Sequence, residues 1–178
     1  MKLKLIYNSL VKSHLEYGIL AWGNSNSKEI SKISIMQKKI IRNLDNSKYN
    51  AHTDPIFTKH NILKFNDILK LNSIILMYKY EHLLLPESFV NMFGKISDRS
   101  RNYRIDIVKN KTLEAFPKAY LPKIWNSLPM EVKYSNSLKE IKKNVKTHLL
   151  EVYKAFICNN RNCYSCTNWY VEYCSPCK

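Results

Sequence analysis

Glycine is nearly missing from this chain: Gly18, Gly23 and Gly94 are the only three in 178 residues. That scarcity excludes a GxGxxG turn or a P-loop, which need closely spaced glycines so that backbone amides can approach a phosphate. Together with only 6 prolines against many Ile, Leu, Lys and Asn, it favours a mostly helical chain with short connections. Eighteen apolar residues never run together. The nearest approach, Ile68 to Leu85, is interrupted by Lys70, Lys79, Glu81 and His82, charges that are costly in hydrocarbon, so it reads as a core helix. The start, Met1 to Asn8, lacks both the apolar run and the cleavage site of a secretory signal. The expectation is an intracellular protein, of cytoplasm or nucleus, with no membrane partner.

Acidic residues are also scarce, 14 against 29 basic ones, and they are scattered singly. Two-metal phosphoryl chemistry needs converging carboxylates, and no HExxH pair offers zinc chemistry instead. The five histidines, His14, His52, His60, His82 and His148, have no ligand-like spacing. The sequence thus predicts a catalytically inert protein. Its formal charge of +15 gives a field attractive to nucleic acid or to an anionic surface.

The densest signal is Ser13 to Leu44. Tyr17 to Gly23 sets large rings beside two glycines, a tight buried bend. A helix follows, with Ser27 as N-cap, Glu29 in the first turn, and an apolar stripe of Ile30, Ile33, Ile40, Ile41 and Leu44 with Met36 beside it. Its other face carries Lys28, Lys32, Lys38, Lys39 and Arg42. Before the bend, Leu3, Ile6, Leu10 and Leu15 have near-helical spacing, as if the chain began inside a helix.

Three groups of residues here, Leu5 to Leu10, His14 to Gly23 and Met36 to Arg42, are followed by Ala51 to Phe57, Asn61 to Leu63 and Pro122 to Pro129. In that order they resemble the region just after the polymerase core in reverse transcriptases of jockey-like non-LTR retrotransposons, over roughly residues 3 to 150. The resemblance implies a thumb-like C-terminal region that holds an RNA or DNA template-primer. The palm, with its adjacent aspartates, would lie upstream of Met1, and no such aspartate pair occurs here. The upstream polymerase core is then an implied partner.

Downstream, Asp45 to Asn50 favours turns. Asp54-Pro55 suits the start of a short helix, Pro55 to His60. Asn66 or Asp67 can cap the next helix, which runs through Leu85 until Pro86 stops it and serves as the central helix; a short helical turn, Glu87 to Phe93, follows. From Gly94 to Lys123 the helical stripe disappears. Tyr103, Ile105 and Ile107 alternate with Arg104 and Asp106, and Leu113, Phe116 and Tyr120 supply a second strand, which suggests a small β-hairpin. Trp125 anchors a helical turn ended by Pro129. Ser137 and Glu140 form a capping box for a helix to about Tyr153, with Leu138, Ile141, Val145, Leu149 and Val152 as its apolar stripe and Lys139, Lys142, Lys143 and Lys146 on the rest. The fold class is therefore mainly α, a thumb-like helical bundle over residues 1–156, with a small hairpin and a Cys-rich tail over 157–178.

Three segments carry the excess charge: six basic and two acidic residues in 28–48, eight and three in 95–123, and six and two in 133–154. A lysine-rich face on one helix is ordinarily a solvated face. Three such segments in one domain point instead to phosphate neutralisation, which is sequence-independent and salt-sensitive. The candidate contacts are Lys28, Lys32, Lys38, Lys39, Arg42, Arg99, Arg101, Arg104, Lys139, Lys142, Lys143 and Lys146. Tyr49 and Tyr103, set among them, can stack on bases or pack at the core. An independent helical module for structure or protein interaction, descended from a retroelement, is the alternative.

The tail holds all five cysteines within its last 21 residues. Cys163-x2-Cys166 and Cys174-x2-Cys177 can close a four-thiolate zinc site, with Cys158 left over. Free thiols on a frayed end are the equal alternative. A disulfide framework fits less well, since nothing suggests secretion.

Overall fold

One long helix, Phe65–Glu81, organises the chain, and the computed structural model describes residues 2–25, 27–97, 99, 101–106 and 110–155 around it. In chain order the elements are α1 (Lys2–Ile6), a π-helical stretch (Tyr7–Lys12), α2 (Ser13–Glu16), α3 (Ile19–Trp22) and α4 (Ser27–Leu44). Then come α5 (Asp54–His60), α6 (Phe65–Glu81), a 3-10 turn (Glu87–Phe89), β1 (Lys95–Ser97) and β2 (Asn102–Tyr103). The remainder is α7 (Lys111–Glu114), α8 (Pro117–Asn126), α9 (Met130–Lys133) and α10 (Leu138–Ala155). The chain is mainly α, with one small antiparallel hairpin among the described residues.

α6 packs against α2, α3 and α4 from the first part of the chain and against α8 and α10 from the last. Ile68, Leu69, Ile74, Met77 and Tyr78 are buried on it. Each fully buried side chain of this kind contributes about 1.5–3 kcal/mol, so this helix carries a large share of the core. It ends at Glu81, four residues short of the expected Leu85. Leu83 adopts a left-handed φ of 54°, and the Leu84 amide turns back to donate to the Lys79 carbonyl at 2.8 Å. That turn closes the helix before Pro86 is reached, as in a helix C-terminus of the Schellman type. The turn after Pro86 is likewise shorter than expected, ending at Phe89.

The N-terminus of α6 is not capped by Asn66 or Asp67. Two remote side chains do that work: Phe65 N–H donates to Gln37 Oε1 at 2.8 Å, and Lys64 N–H donates to Tyr153 Oη at 3.0 Å. Tyr153 in turn donates to Asp67, and Lys70 pairs with the other Asp67 oxygen at 3.0 Å. Burial first, then the Asp67 charge and hydrogen bond, hold the Tyr153 phenol far above its ordinary range. Gln37, itself buried on α4, also donates from Nε2 to Tyr7 Oη and to the Leu63 carbonyl, both at 2.9 Å. One amide thus ties the first helix, α4 and the start of α6 together.

The bend at Tyr17 to Gly23 forms, buried at Ile19 and Gly23 but not throughout as expected. Gly18 has φ 60°, and a Cβ on Gly23 would sit 2.5 Å from the Ile19 carbonyl within the bend and 3.0 Å from Leu69 Cδ1 on α6, so the bend closes tightly only because glycine stands there. Trp22 stacks on Phe65 with ring centroids 5.5 Å apart, and its Nε1–H donates to the Tyr17 carbonyl at 2.8 Å. Tyr17 itself is exposed.

The inward face of the first helix differs from expectation. Leu3, Ile6 and Leu10 are exposed, whereas Tyr7 is buried and Val11 and Leu15 pack against the core. The wider π-helical turn from Tyr7 to Lys12 breaks the angular register that α-helical spacing assumes, so Leu15, beyond it, faces the core while Leu3, Ile6 and Leu10 do not. Met36 on α4 is also exposed, while Ile41 and Gln37 are buried. On α10, Ile141, Val145 and Tyr153 are buried, while Val152 is exposed. The capping box forms with a small offset: Glu140 N–H donates to Ser137 Oγ at 3.1 Å, and Glu140 Oε2 accepts from Asn136 N–H at 2.8 Å.

The hairpin exists, but its partner strand differs. β2 pairs antiparallel with β1, upstream, and the stretch around Leu113, Phe116 and Tyr120 is helical in α7 and α8. Pro117 in the first turn of α8 favours that outcome, since its φ is already helical. Trp125 is wholly buried near the end of α8, and its Nε1–H donates to the Arg101 carbonyl at 2.7 Å. Asn126 and Tyr103 exchange backbone-to-amide bonds at 2.9 and 2.8 Å, which locks β2 against α8. Tyr103 is fully buried, lies edge-on to Tyr80 and Phe93, and donates its hydroxyl to Glu81. It is therefore a core residue and not a base-stacking platform.

Candidate nucleic-acid interface

The α4 lysines separate by spacing. Lys28, Lys32 and Lys39 stand four and seven residues apart, which puts them along one line of the helix opposite Ile30, Ile33, Gln37 and Ile41. All three are exposed. Lys32 pairs with Glu29 at 2.9 Å, a solvated pair of small energetic weight that a phosphate can displace. Lys38 and Arg42 lie to the side of that line and are half-buried. Arg42 Nε–H donates to the Ala51 carbonyl at 2.8 Å, so its guanidinium fastens the 45–53 connection to α4. This arginine is a structural tie, which its position on a basic face did not suggest.

At the hairpin the expected basic residues also divide. Arg99 and Arg104 are exposed. Arg101, with a left-handed φ of 49°, donates from Nη1 to the Lys133 carbonyl at 3.0 Å and lies over the Tyr134 ring at 4.3 Å. It too closes the fold, by bringing the hairpin down on α9. Lys133, counted in the third basic segment, is buried; its ammonium donates to Asn102 Oδ1 at 2.8 Å and to the Asn126 carbonyl at 3.3 Å. Desolvation lowers its pKa.

On α10, Lys139, Lys142 and Lys143 are exposed, whereas Lys146 is half-buried. Burial lowers the Lys146 pKa, and the charges of Lys12 and Lys4 lower it further. Thus the α10 face presents three solvated lysines, and the fourth turns toward the first helix. α5 packs against both α4 and α10, so the two basic helices share a neighbour.

Around His52, one further basic residue, Lys64, joins the expected Lys38 and Arg42. Desolvation pushes the His52 imidazole down; the Lys64, Lys38 and Arg42 charges do the same, against the opposing effect of Asp54. Lys64 is anchored there, paired with Asp54 at 2.9 Å and lying 4.5 Å from the Tyr153 ring centre. No local pattern marks this cluster, because Lys64 precedes a helix and His52 sits in a connection. Tyr49 is exposed nearby in sequence, next to Lys48.

Among the described residues, no three His, Cys, Asp or Glu side chains come together as a metal-holding group. The proposed zinc ligands Cys163, Cys166, Cys174 and Cys177 lie outside the described residues. No described helix is long and apolar enough to cross a membrane. Comparison with protein-family models, with curated proteins and with solved structures gives no match to this chain.

Proposed function

We propose that this chain is a nucleic-acid-contacting, catalytically inert C-terminal region of a non-LTR retrotransposon reverse transcriptase, gripping template-primer through phosphates. The observation that carries the reading is the division of the basic residues into two kinds. Arg42, Arg101 and Lys133 bond to backbone or buried groups within the fold, and Lys28, Lys32 and Lys39 on α4 and Lys139, Lys142 and Lys143 on α10 are exposed on helices that share α5 as a neighbour. A chain with a net charge of +15 that keeps such lysines in solvent repels itself, and a polyanion offsets that repulsion. The order of motifs along residues 3 to 150 supplies the family. The tail cysteines belong to the same proposal as a zinc site, which near-stoichiometric zinc in the reduced full chain would support and metal-free protein with five reactive thiols would refute.

Duplex binding measured across salt concentrations tests the reading. Replacing Lys28, Lys32 and Lys39 together by Ala weakens binding alike on unrelated sequences and flattens the slope of log affinity against log salt by about 0.9 for each phosphate that is no longer neutralised. An unchanged slope with affinity intact would mean that this face is only solvated, and would favour the protein-interaction module instead.

A further inference from the structure

A cleft of about 190 Å³ opens between the first helix, the turn at Asn61 and Ile62, α6 and α10. Its wall is apolar where Leu63, Ile68 and Leu71 line it, and three ammonium groups border it: Lys4 and Lys12 from the first helix and Lys146 from α10. Lys4, Asn8 and Lys12 recur every fourth residue and all line the cleft, so one face of the helix is turned to it. Glu16 is the single carboxylate on the lining, and it pairs with Lys12 at 3.3 Å. Lys4 and Lys146 have no carboxylate partner among the described residues. Three positive groups against one negative leave two charges uncompensated at the edge of an apolar wall.

That arrangement costs the protein stability unless something offsets it. Burial and the neighbouring charges of Lys12 and Lys4 already disfavour the charged form of Lys146. An anion seated among the three would reverse the effect. A phosphate diester carries one charge, whereas a monoester carries about −1.5 to −2 at pH 7, which matches the excess in the cleft. At about 190 Å³ the space falls below the roughly 300–1,000 Å³ of pockets for drug-sized ligands, so it suits a phosphoryl group and the few atoms attached to it.

We propose that this cleft binds a phosphate monoester, with the dianion between Lys4, Lys12 and Lys146 and its carbon skeleton against Leu63, Ile68 and Leu71. Such a group comes either on a free nucleoside monophosphate or on the phosphorylated end of a strand. The site does not depend on the duplex contact proposed above, because a free mononucleotide needs no exposed lysine stripe.

Calorimetric titration of the full chain with adenosine 5′-monophosphate and with adenosine tests the proposal, beside a 5′-phosphorylated and a 5′-hydroxyl oligonucleotide. The monophosphate binds and adenosine does not. Lys146→Gln weakens the monophosphate by about tenfold or more, the loss of one charge-assisted hydrogen bond. Lys12→Gln does at least as much, because it leaves Glu16 unpaired beside the ligand. Lys118→Gln removes the same charge from an exposed position on α8 outside the cleft and leaves the affinity unchanged. Thermal unfolding of each variant shows that it is folded. A Lys146-dependent preference for the phosphorylated oligonucleotide identifies a strand end as the source, and monophosphate binding without that preference identifies the free nucleotide; both support the site. Equal binding of adenosine, no binding of the monophosphate together with no preference for the phosphorylated oligonucleotide, or equal weakening by Lys118→Gln would overturn it.

Discussion

Replacing Gln37 by Met tests the central structural claim, that one buried amide joins three elements. Methionine matches the length and flexibility of glutamine but offers no hydrogen bond. The change strands three groups: the Phe65 N–H, the Leu63 carbonyl and the Tyr7 hydroxyl, whose residues are 1%, 6% and 2% exposed. Each buried polar group left unpaired costs about 1–3 kcal/mol, so three give roughly 3–9 kcal/mol before relaxation. Local opening to admit water brings the expected loss to the lower part of that range, about 3–5 kcal/mol. Against the roughly 5–15 kcal/mol total stability of a small domain, the loss is large. Urea denaturation followed by tryptophan fluorescence and far-ultraviolet circular dichroism measures it, and Trp22, stacked on Phe65, reports the same region. Tyr7→Phe alone costs less, since it removes one partner and leaves the other two bonds, and the double variant is less destabilised than the sum because both remove the same bond. Gln37→Glu keeps the acceptor for Phe65 N–H but sets a carboxylate against the Leu63 carbonyl, so it does not rescue. A Gln37→Met variant within about 1 kcal/mol of the parent would refute the reasoning. It would mean that the Leu63 to Phe65 connection is held by its backbone alone.

Two further outcomes follow from single positions. Gly23→Ala destabilises by about 1–3 kcal/mol, because its Cβ meets the Ile19 carbonyl of the same bend at 2.5 Å and crowds Leu69 Cδ1 on α6 at 3.0 Å, so the bend must open. Gly18→Ala costs less, about 1–2 kcal/mol from the left-handed φ alone, since only the Trp22 ring lies within 4 Å; equal melting temperatures for Gly23→Ala and the parent would contradict the packing. Asp45 concerns pH. Lys59 first, then Ser47 and His60, bond its carboxylate at 2.6 to 2.8 Å and hold it well below the usual carboxylate range. A depressed folded-state pKa gives stability that is present above the unfolded value of about 3.9 and is lost as pH falls through the folded value. Asp45→Asn is therefore less stable than the parent at pH 5 and loses less of its stability on going to pH 3; parallel stability curves over that interval would exclude the linkage.

Local physics made much of this chain legible in advance. The apolar spacing of α4, α6 and α10, the Ser137 and Glu140 cap, the bend at Gly18 and Gly23 and the burial of Trp125 all depend on neighbours within a few residues. The exposed lysines Lys28, Lys32, Lys39, Lys139, Lys142 and Lys143 were readable for the same reason, since they lie across the helix from an apolar stripe. What the sequence did not reveal was partners distant along the chain. Tyr103 is core because Phe93, Tyr80 and Asn126 surround it, and Arg42 and Arg101 are ties because Ala51, Lys133 and Tyr134 wait for them. Gln37 and Tyr153 cap a helix 28 and 89 residues away, and no periodicity encodes that. The lysine cleft shows the same limit: Lys4 and Lys12 meet Lys146 only because the first helix and α10 line one cleft beside α6. Sequence by itself determined the long helices α4, α6 and α10 and the faces on which they carry charge, through short-range sterics and periodic burial, while the α7 and α8 stretch was misread as a strand; tertiary packing alone decided which of those charges remain in solvent and which hold the fold.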